Sequence, residues 1–170
     1  MNILVAVASR HGSTYEIAEA IADEIEQAGL KADLHEINQH PYLPKYDAAV
    51  IGSAVYMGRW LTEAKNFLEE NQAELVEMPV WLFSSGPLGD DLSEIETETE
   101  PYNIDELMSM TRAVGHEVFV GKLDKEQLGL GEKLVVRMVK APVGDFRDWQ
   151  AVRSWAKEIV AALAPVPTPA

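Results

Sequence analysis

The chain has 170 residues, 47% of them hydrophobic and 25% charged, with a formal net charge of −14 and no cysteine. That length suits one domain able to bury about 70% of the surface its unfolded chain exposes. The acidic balance argues against nucleic acid and against general attraction to anionic membranes. The lack of cysteine excludes disulfides, thiolate metal sites and cysteine nucleophiles.

Met1 to Ala8 is too short, and lacks the basic start, to be a signal peptide. Its run Ile3-Leu4-Val5-Ala6-Val7-Ala8 predicts a buried parallel strand. Tyr15 opens an amphipathic helix with Ile17, Ile21 and Ile25 on one face, closing near Gly29. Between the two lies Ser9-Arg10-His11-Gly12-Ser13-Thr14. A short strand-to-helix turn of this kind can cradle a phosphate. Its first helical N–H groups lack intrahelical partners, Gly12 admits an anion close to the backbone, and Ser9, Ser13 and Thr14 offer hydroxyls. An ordinary capped helix explains Ser13 and Glu16 equally well, as a capping box. Neither a G-x-x-x-x-G-K-[ST] nor a G-x-G-x-x-G pattern occurs here, which sets aside the P-loop and the dinucleotide fingerprint. No Asp ends the first strand, as a phosphoacceptor domain would require.

Lys31 to Ile37 alternates as an edge strand does. His35 and His40 have no companion carboxylates and read as surface residues, so no metal site is expected. After Pro41 and Pro44, Tyr46 to Ser53 reads as a second buried strand, leading through Ala54-Val55-Tyr56-Met57-Gly58-Arg59-Trp60 into a helix with Leu61, Ala64, Phe67 and Leu68 inward. Pro79 to Gly86 repeats the pattern, ending in Ser84-Ser85-Gly86. Three apolar strands thus end in small hydrogen-bonding residues. In an open parallel sheet such ends share one edge, where ligands bind.

Asp90 to Glu106 carries eight carboxylates and neither Lys nor Arg. It reads as a solvated loop, a docking surface for a cationic partner, or a lid. Asn103 with Glu106 predicts a cap for a helix bearing Ile104, Leu107, Met108 and Thr111. Gly115 to Gly121 reads as the last, edge strand. Lys122 to Arg147 then inserts about 26 residues where an α/β loop commonly has about 2–6. Leu134, Val135, Met138 and Val139 form an apolar stripe there, opposite Lys133, Arg137 and Lys140. Asp148 predicts the cap of a final helix with Trp149, Val152, Ala156, Ile159 and Leu163 inward. The Pro-Ala tail, 164–170, is expected to be disordered. One domain over 1–163 is expected. No apolar run approaches the roughly 20 residues a membrane-spanning helix needs, and the cytoplasm is the expected location.

These residues resemble the flavodoxin-like FMN proteins. The first loop matches the family's [TS]-x-T-G-x-T pattern except at His11, where the imidazole or an amide would replace a hydroxyl. The stretch Gly52 to Trp60 and the tail Gly144-Asp145-Phe146-Arg147-Asp148-Trp149 resemble the menaquinone-dependent protoporphyrinogen oxidase branch. The resemblance implies a three-layer α/β sandwich with a five-stranded parallel sheet in the order 2-1-3-4-5. It also implies FMN, with its phosphate on Ser9 to Thr14. Its ring would lie against Ser53, Ala54, Val55, Tyr56, Met57, Gly58 and Arg59, and against Ser84, Ser85, Gly86, Pro87, Leu88 and Gly89. Tyr56 and Trp60 offer ring faces for stacking, although a Trp opening a helix is as readily core. Gly58 can turn its peptide at little steric cost beside a flavin.

The function this implies is an FMN-dependent oxidoreductase passing electrons from a reduced substrate such as a porphyrinogen to a quinone. The alternative is a flavodoxin-type electron carrier that docks a redox protein through its acidic loop. A third is a flavin-free interaction module keeping the fold. Lys133, Arg137 and Lys140 would give at most weak contact with the inner face of the membrane. No side chain is assigned as an acid or base, since a flavin carries the redox chemistry itself.

Overall fold

The computed structural model describes residues 1–56, 58–86, 103–123, 144–145 and 147–164. β1 (Asn2–Ala8) is hydrogen-bonded on both sides, to β2 (Lys31–Glu36) and to β3 (Ala48–Tyr56), and both pairings are parallel. Beyond β3 lie β5 (Val80–Ser85) and β6 (Gly115–Phe119), again parallel, so the long strands run β2-β1-β3-β5-β6. Taken as long strands, this is the expected order 2-1-3-4-5. A sixth strand, β4 (Arg59–Trp60), was not foreseen and pairs antiparallel with the end of β3.

Successive residues of β1 feed two separate cores, which is why the strand is apolar throughout. Ile3, Val5 and Val7 pack with Ile17, Ile21 and Ile25 of α1 (Ser13–Gln27) and with Val152, Ala156 and Ile159 of α5 (Trp149–Leu163). Leu4, Ala6 and Ala8 face α2 (Thr62–Glu70), α3 (Gln72–Leu75) and α4 (Ile104–Thr111), through Ala64, Phe67, Leu68, Leu75 and Leu107. The result is the expected three-layer sandwich. Trp155 was absent from the expected inward set, yet it is buried. Its ring centroid lies 6.1 Å from Phe83 and 5.6 Å from Phe119, near edge-on to both. Gly52 makes room for this cluster, because a Cβ there would sit 2.0 Å from the Phe83 ring.

Several boundaries differ from expectation for tertiary reasons. β3 starts at Ala48, not Tyr46, because Tyr46 closes a tight turn: its N–H donates to the Leu43 carbonyl at 2.9 Å and its hydroxyl to Asp33 at 3.2 Å. β3 runs past Ser53 to Tyr56 because β4 supplies a partner for the extension. β6 stops at Phe119, opposite Ser85, where β5 itself ends. Asn103 stands at the start of α4 but its side chain caps nothing there, and Glu106 pairs with Lys65 of α2 at 3.5 Å. The Asp148 cap is as expected, Oδ1 accepting from the N–H groups of Gln150 and Ala151 at 3.0 Å each.

The ends of the long insertion meet in an antiparallel pair, β7 (Lys122–Leu123) with β8 (Gly144–Asp145). Its apolar stripe and Lys133, Arg137 and Lys140 lie outside the described residues, as do Met57, Pro87, Leu88, Gly89, the acidic stretch up to residue 102 and the tail from 165. Among the described residues no helix is long and apolar enough to cross a membrane.

Candidate functional site

Strand register assembles the site. Ala8 stands opposite Ser53, and Ser53 opposite Ser84, so the segments that follow β1, β3 and β5 leave the sheet together at its carboxyl edge. The chain also changes direction across the sheet between β1 and β3, one neighbour lying to each side. Crevices form at such a switch point.

The first segment is Ser9 to Gly12. Gly12 takes φ +81° and stands at the N-cap of α1, where no side chain caps the helix. Its N–H donates to Ser9 Oγ at 3.1 Å and its carbonyl accepts the Glu16 N–H at 3.0 Å. A Cβ at Gly12 would have no atom of the described residues within 4 Å, so among them the turn opens on free space. The expected capping box of Ser13 and Glu16 is not formed. Ser13 is already helical, and the Glu16 carboxylate is held by Arg147, far away in sequence. The first-turn N–H groups are thereby left to solvent or to an anion. Of the residues expected here, Thr14 is buried, Ser9, His11 and Ser13 are partly so, and Arg10 and Gly12 are exposed.

The second segment is a hairpin. Its turn passes through Gly58 at φ +75°, and Val55 and Tyr56 pair with Trp60 and Arg59. Ala54, Val55 and Tyr56 are partly buried and Arg59 is exposed. The Arg10 guanidinium lies over the Tyr56 ring, 4.7 Å from its centroid, and so joins the first segment to the hairpin. Trp60 is a core residue and does not offer a stacking face. Two hydroxyls expected at the site are engaged within the fold. Ser53 Oγ accepts the Leu61 N–H at 3.1 Å and donates to the Ala54 carbonyl at 2.8 Å. Ser84 Oγ accepts the Trp60 indole N–H at 2.7 Å and lies 2.7 Å from His116 Nε2. Ser84 Oγ has a second lone pair and its own proton, so it can pair with either tautomer of His116. Burial disfavours the charged ring and pushes His116 down to about 4.

The third segment begins at Ser85 and Gly86, both buried, with the Gly86 N–H donating to the Phe119 carbonyl at 2.9 Å. His116 and Arg147 are the two residues of this region that the sequence did not single out for it. The only sequence signal was the position of Arg147 within the Gly144 to Trp149 tail pattern. No cluster of His, Cys, Asp and Glu able to hold a metal exists among the described residues.

The residues present fit a phosphorylated aromatic ligand. An uncapped helix N-terminus, an open glycine turn and the hydroxyls of Ser9 and Ser13 suit a terminal phosphate, while Tyr56 and the hairpin edge beside them suit a planar ring.

Comparison with known proteins gives a consistent result. The family model described as "Flavodoxin domain" matches residues 4–149. Protoporphyrinogen IX dehydrogenase [quinone] of Escherichia coli strain K12 is 25% identical over 171 residues, covering 94% of this chain and 94% of that protein. Among solved structures, oxidised flavodoxin 1 from Bacillus cereus is similar with a TM-score of 0.62 and 16% identity, over 96% of this chain and 100% of that one. A flavodoxin from the domain Archaea gives a TM-score of 0.62 and 17% identity, over 95% and 98% respectively.

Proposed function

The chain belongs to the flavodoxin domain family, and from that premise we propose that it is an FMN-dependent oxidoreductase of the protoporphyrinogen dehydrogenase type, delivering electrons to a quinone. The observation that carries the reading is the first turn of α1. Its N-cap is Gly12 at φ +81°, no side chain among the described residues caps it, and its flank is joined to the Tyr56 hairpin by Arg10. A helix N-terminus of this form attracts a dianionic phosphate through partial positive charge and directed donors. Tyr56 orients the ring system, and the Gly58 turn lies along its edge. The bound FMN supplies the transfer of electrons and protons, and the chain supplies position and a partly buried wall. The substrate class is carried by the similarity to the E. coli enzyme, which extends over almost the full length of both chains.

Fluorescence titration with FMN, riboflavin and FAD tests the cofactor, with FMN expected to bind most tightly. Anaerobic mixing of the FMN-loaded protein with protoporphyrinogen and with quinones tests the reaction. Turnover with a quinone supports the enzyme. Fast exchange with a redox protein, without turnover, transfers the assignment to an electron carrier. Absence of flavin binding removes both.

A further inference from the structure

Arg147 lies between β8 and α5 with its side chain only 4% exposed. Nε and Nη2 donate to the two carboxylate oxygens of Asp145 at 2.8 and 2.6 Å. Nη1 donates to the Ser13 carbonyl at 3.3 Å and to the Glu16 carboxylate. Four of its five N–H donors are therefore in use. The guanidinium also rests on Trp149, 4.5 Å from the ring centroid. A buried planar cation with this set of partners has one geometry open to it.

Two of the partners, Ser13 and Glu16, belong to the first turn of α1. With Gly12 as the N-cap, Glu16 stands one residue beyond the capping-box position, yet its carboxylate still belongs to the first turn, where the helix dipole favours it. It would then compete with an anionic ligand for the same donors and repel its charge. In the structure no side-chain cap is formed, and the Glu16 carboxylate is paired with Arg147 instead. The formal charge of Arg147, Asp145 and Glu16 together is negative, so the cluster is not itself an anion site. Its effect on an anion runs through the turn it holds.

We infer that Arg147 is a positioning residue for the phosphate-binding turn: by holding Glu16 and the Ser13 carbonyl, it keeps the first N–H donors of α1 open for the terminal phosphate of FMN. This rests on the cofactor reading above and extends it to a residue outside the three site segments. The partners of Arg147 are Asp145, Ser13, Glu16 and Trp149, so it acts on that turn through Ser13 and Glu16. Its loss therefore acts on the phosphate and not on the ring.

Selectivity between FMN and riboflavin separates this role from plain stabilisation, because only the phosphate differs. Arg147→Met is expected to lower FMN affinity about tenfold, the scale of one lost charge-assisted contact, while riboflavin affinity stays unmoved. Adding Glu16→Gln to Arg147→Met removes the competing charge and is expected to restore most of the loss. Circular dichroism monitors folding. Should Arg147→Met fail to fold, Arg147→Lys keeps the charge but cannot grip Asp145, Glu16 and Ser13 together, and the same selective loss is expected of it. Parallel loss of FMN and riboflavin affinity, unchanged selectivity, or no restoration by Glu16→Gln overturns the inference. A wild-type protein that binds riboflavin as tightly as FMN overturns the cofactor reading, and this inference with it. A wild-type protein that discriminates, beside variants that discriminate equally, overturns this inference alone.

Discussion

The indole N–H of Trp60 donates to the Ser84 hydroxyl at 2.7 Å, fastening the β3–β4 hairpin to the central strand β5. Ser84 in turn meets His116 on β6 at 2.7 Å, so one chain of hydrogen bonds crosses from the hairpin to the far edge of the sheet. All of it lies beside the surface proposed to hold the flavin ring. Ser84 is fully buried and Trp60 is 5% exposed, so water does not readily replace a missing partner.

Ser84→Ala should therefore destabilise the fold by about 1–3 kcal/mol, the penalty for leaving buried donors and acceptors unpaired. Trp60→Phe alone should cost in the same direction. Because the two residues share one bond, the double variant should lose less than the sum of the singles. Urea denaturation of all four proteins measures this, and strict additivity would show that the bond contributes nothing.

His116 predicts an acid sensitivity. Burial holds it at about 4 in the folded protein, against an ordinary 6.5. Below 6.5 the unfolded chain takes up a proton that the folded chain refuses until about 4. Stability present at neutral pH is thus lost progressively across that window. Asp33, lowered beneath its usual 3.8 despite an opposing effect of burial, by Lys45, Lys31 and Tyr46, loses its contribution only at still lower pH. The stability difference between wild type and His116→Gln should change as pH falls from 6.5 to 4 and be level outside that range. A difference that is flat throughout would mean that His116 titrates alike in both states.

Gly12→Val tests the anion turn from the opposite side. At φ +81° a β-branched residue is strained by about 1–3 kcal/mol, and its side chain would enter the open space over the helix N-terminus. FMN binding should be abolished while the circular dichroism spectrum persists. Undiminished FMN quenching in a folded Gly12→Val protein would remove the phosphate from this turn.

Gly58 also holds a positive φ, +75°, at the tip of the hairpin. Gly58→Val should strain that turn by a similar amount, about 1–3 kcal/mol. If the Gly58 peptide answers the redox state of the flavin, the two one-electron potentials of the bound cofactor should move apart from their wild-type values. Redox titration decides the point: unchanged potentials reduce Gly58 to a structural turn.

The sequence by itself determined the periodic elements and whatever is capped locally. The unbroken apolar run Ile3 to Ala8 reads as a strand covered on both faces, and β1 is that strand. The Ile17, Ile21 and Ile25 spacing could only bury one side of a helix, and Asp148 sits within reach of the N–H groups it accepts. Strand ends followed by Ser and Gly pointed to one edge of the sheet, where register does bring them together, and their resemblance to a known pattern supplied the expected ligand. Tertiary structure alone decided which of several capable partners each polar group takes. Glu16 has a local cap to make, yet Arg147 claims its carboxylate, from 131 residues away. Ser53 and Ser84 read as ligand hydroxyls, yet Leu61, Trp60 and His116 meet them first. The stretch after Ser53 reads as a loop, yet β4 folds back to pair with it. Local patterns record the repeat and the near neighbours of a chain. The outcome of competition for a hydrogen bond depends on which distant groups packing brings within 3 Å, and how dry it makes them.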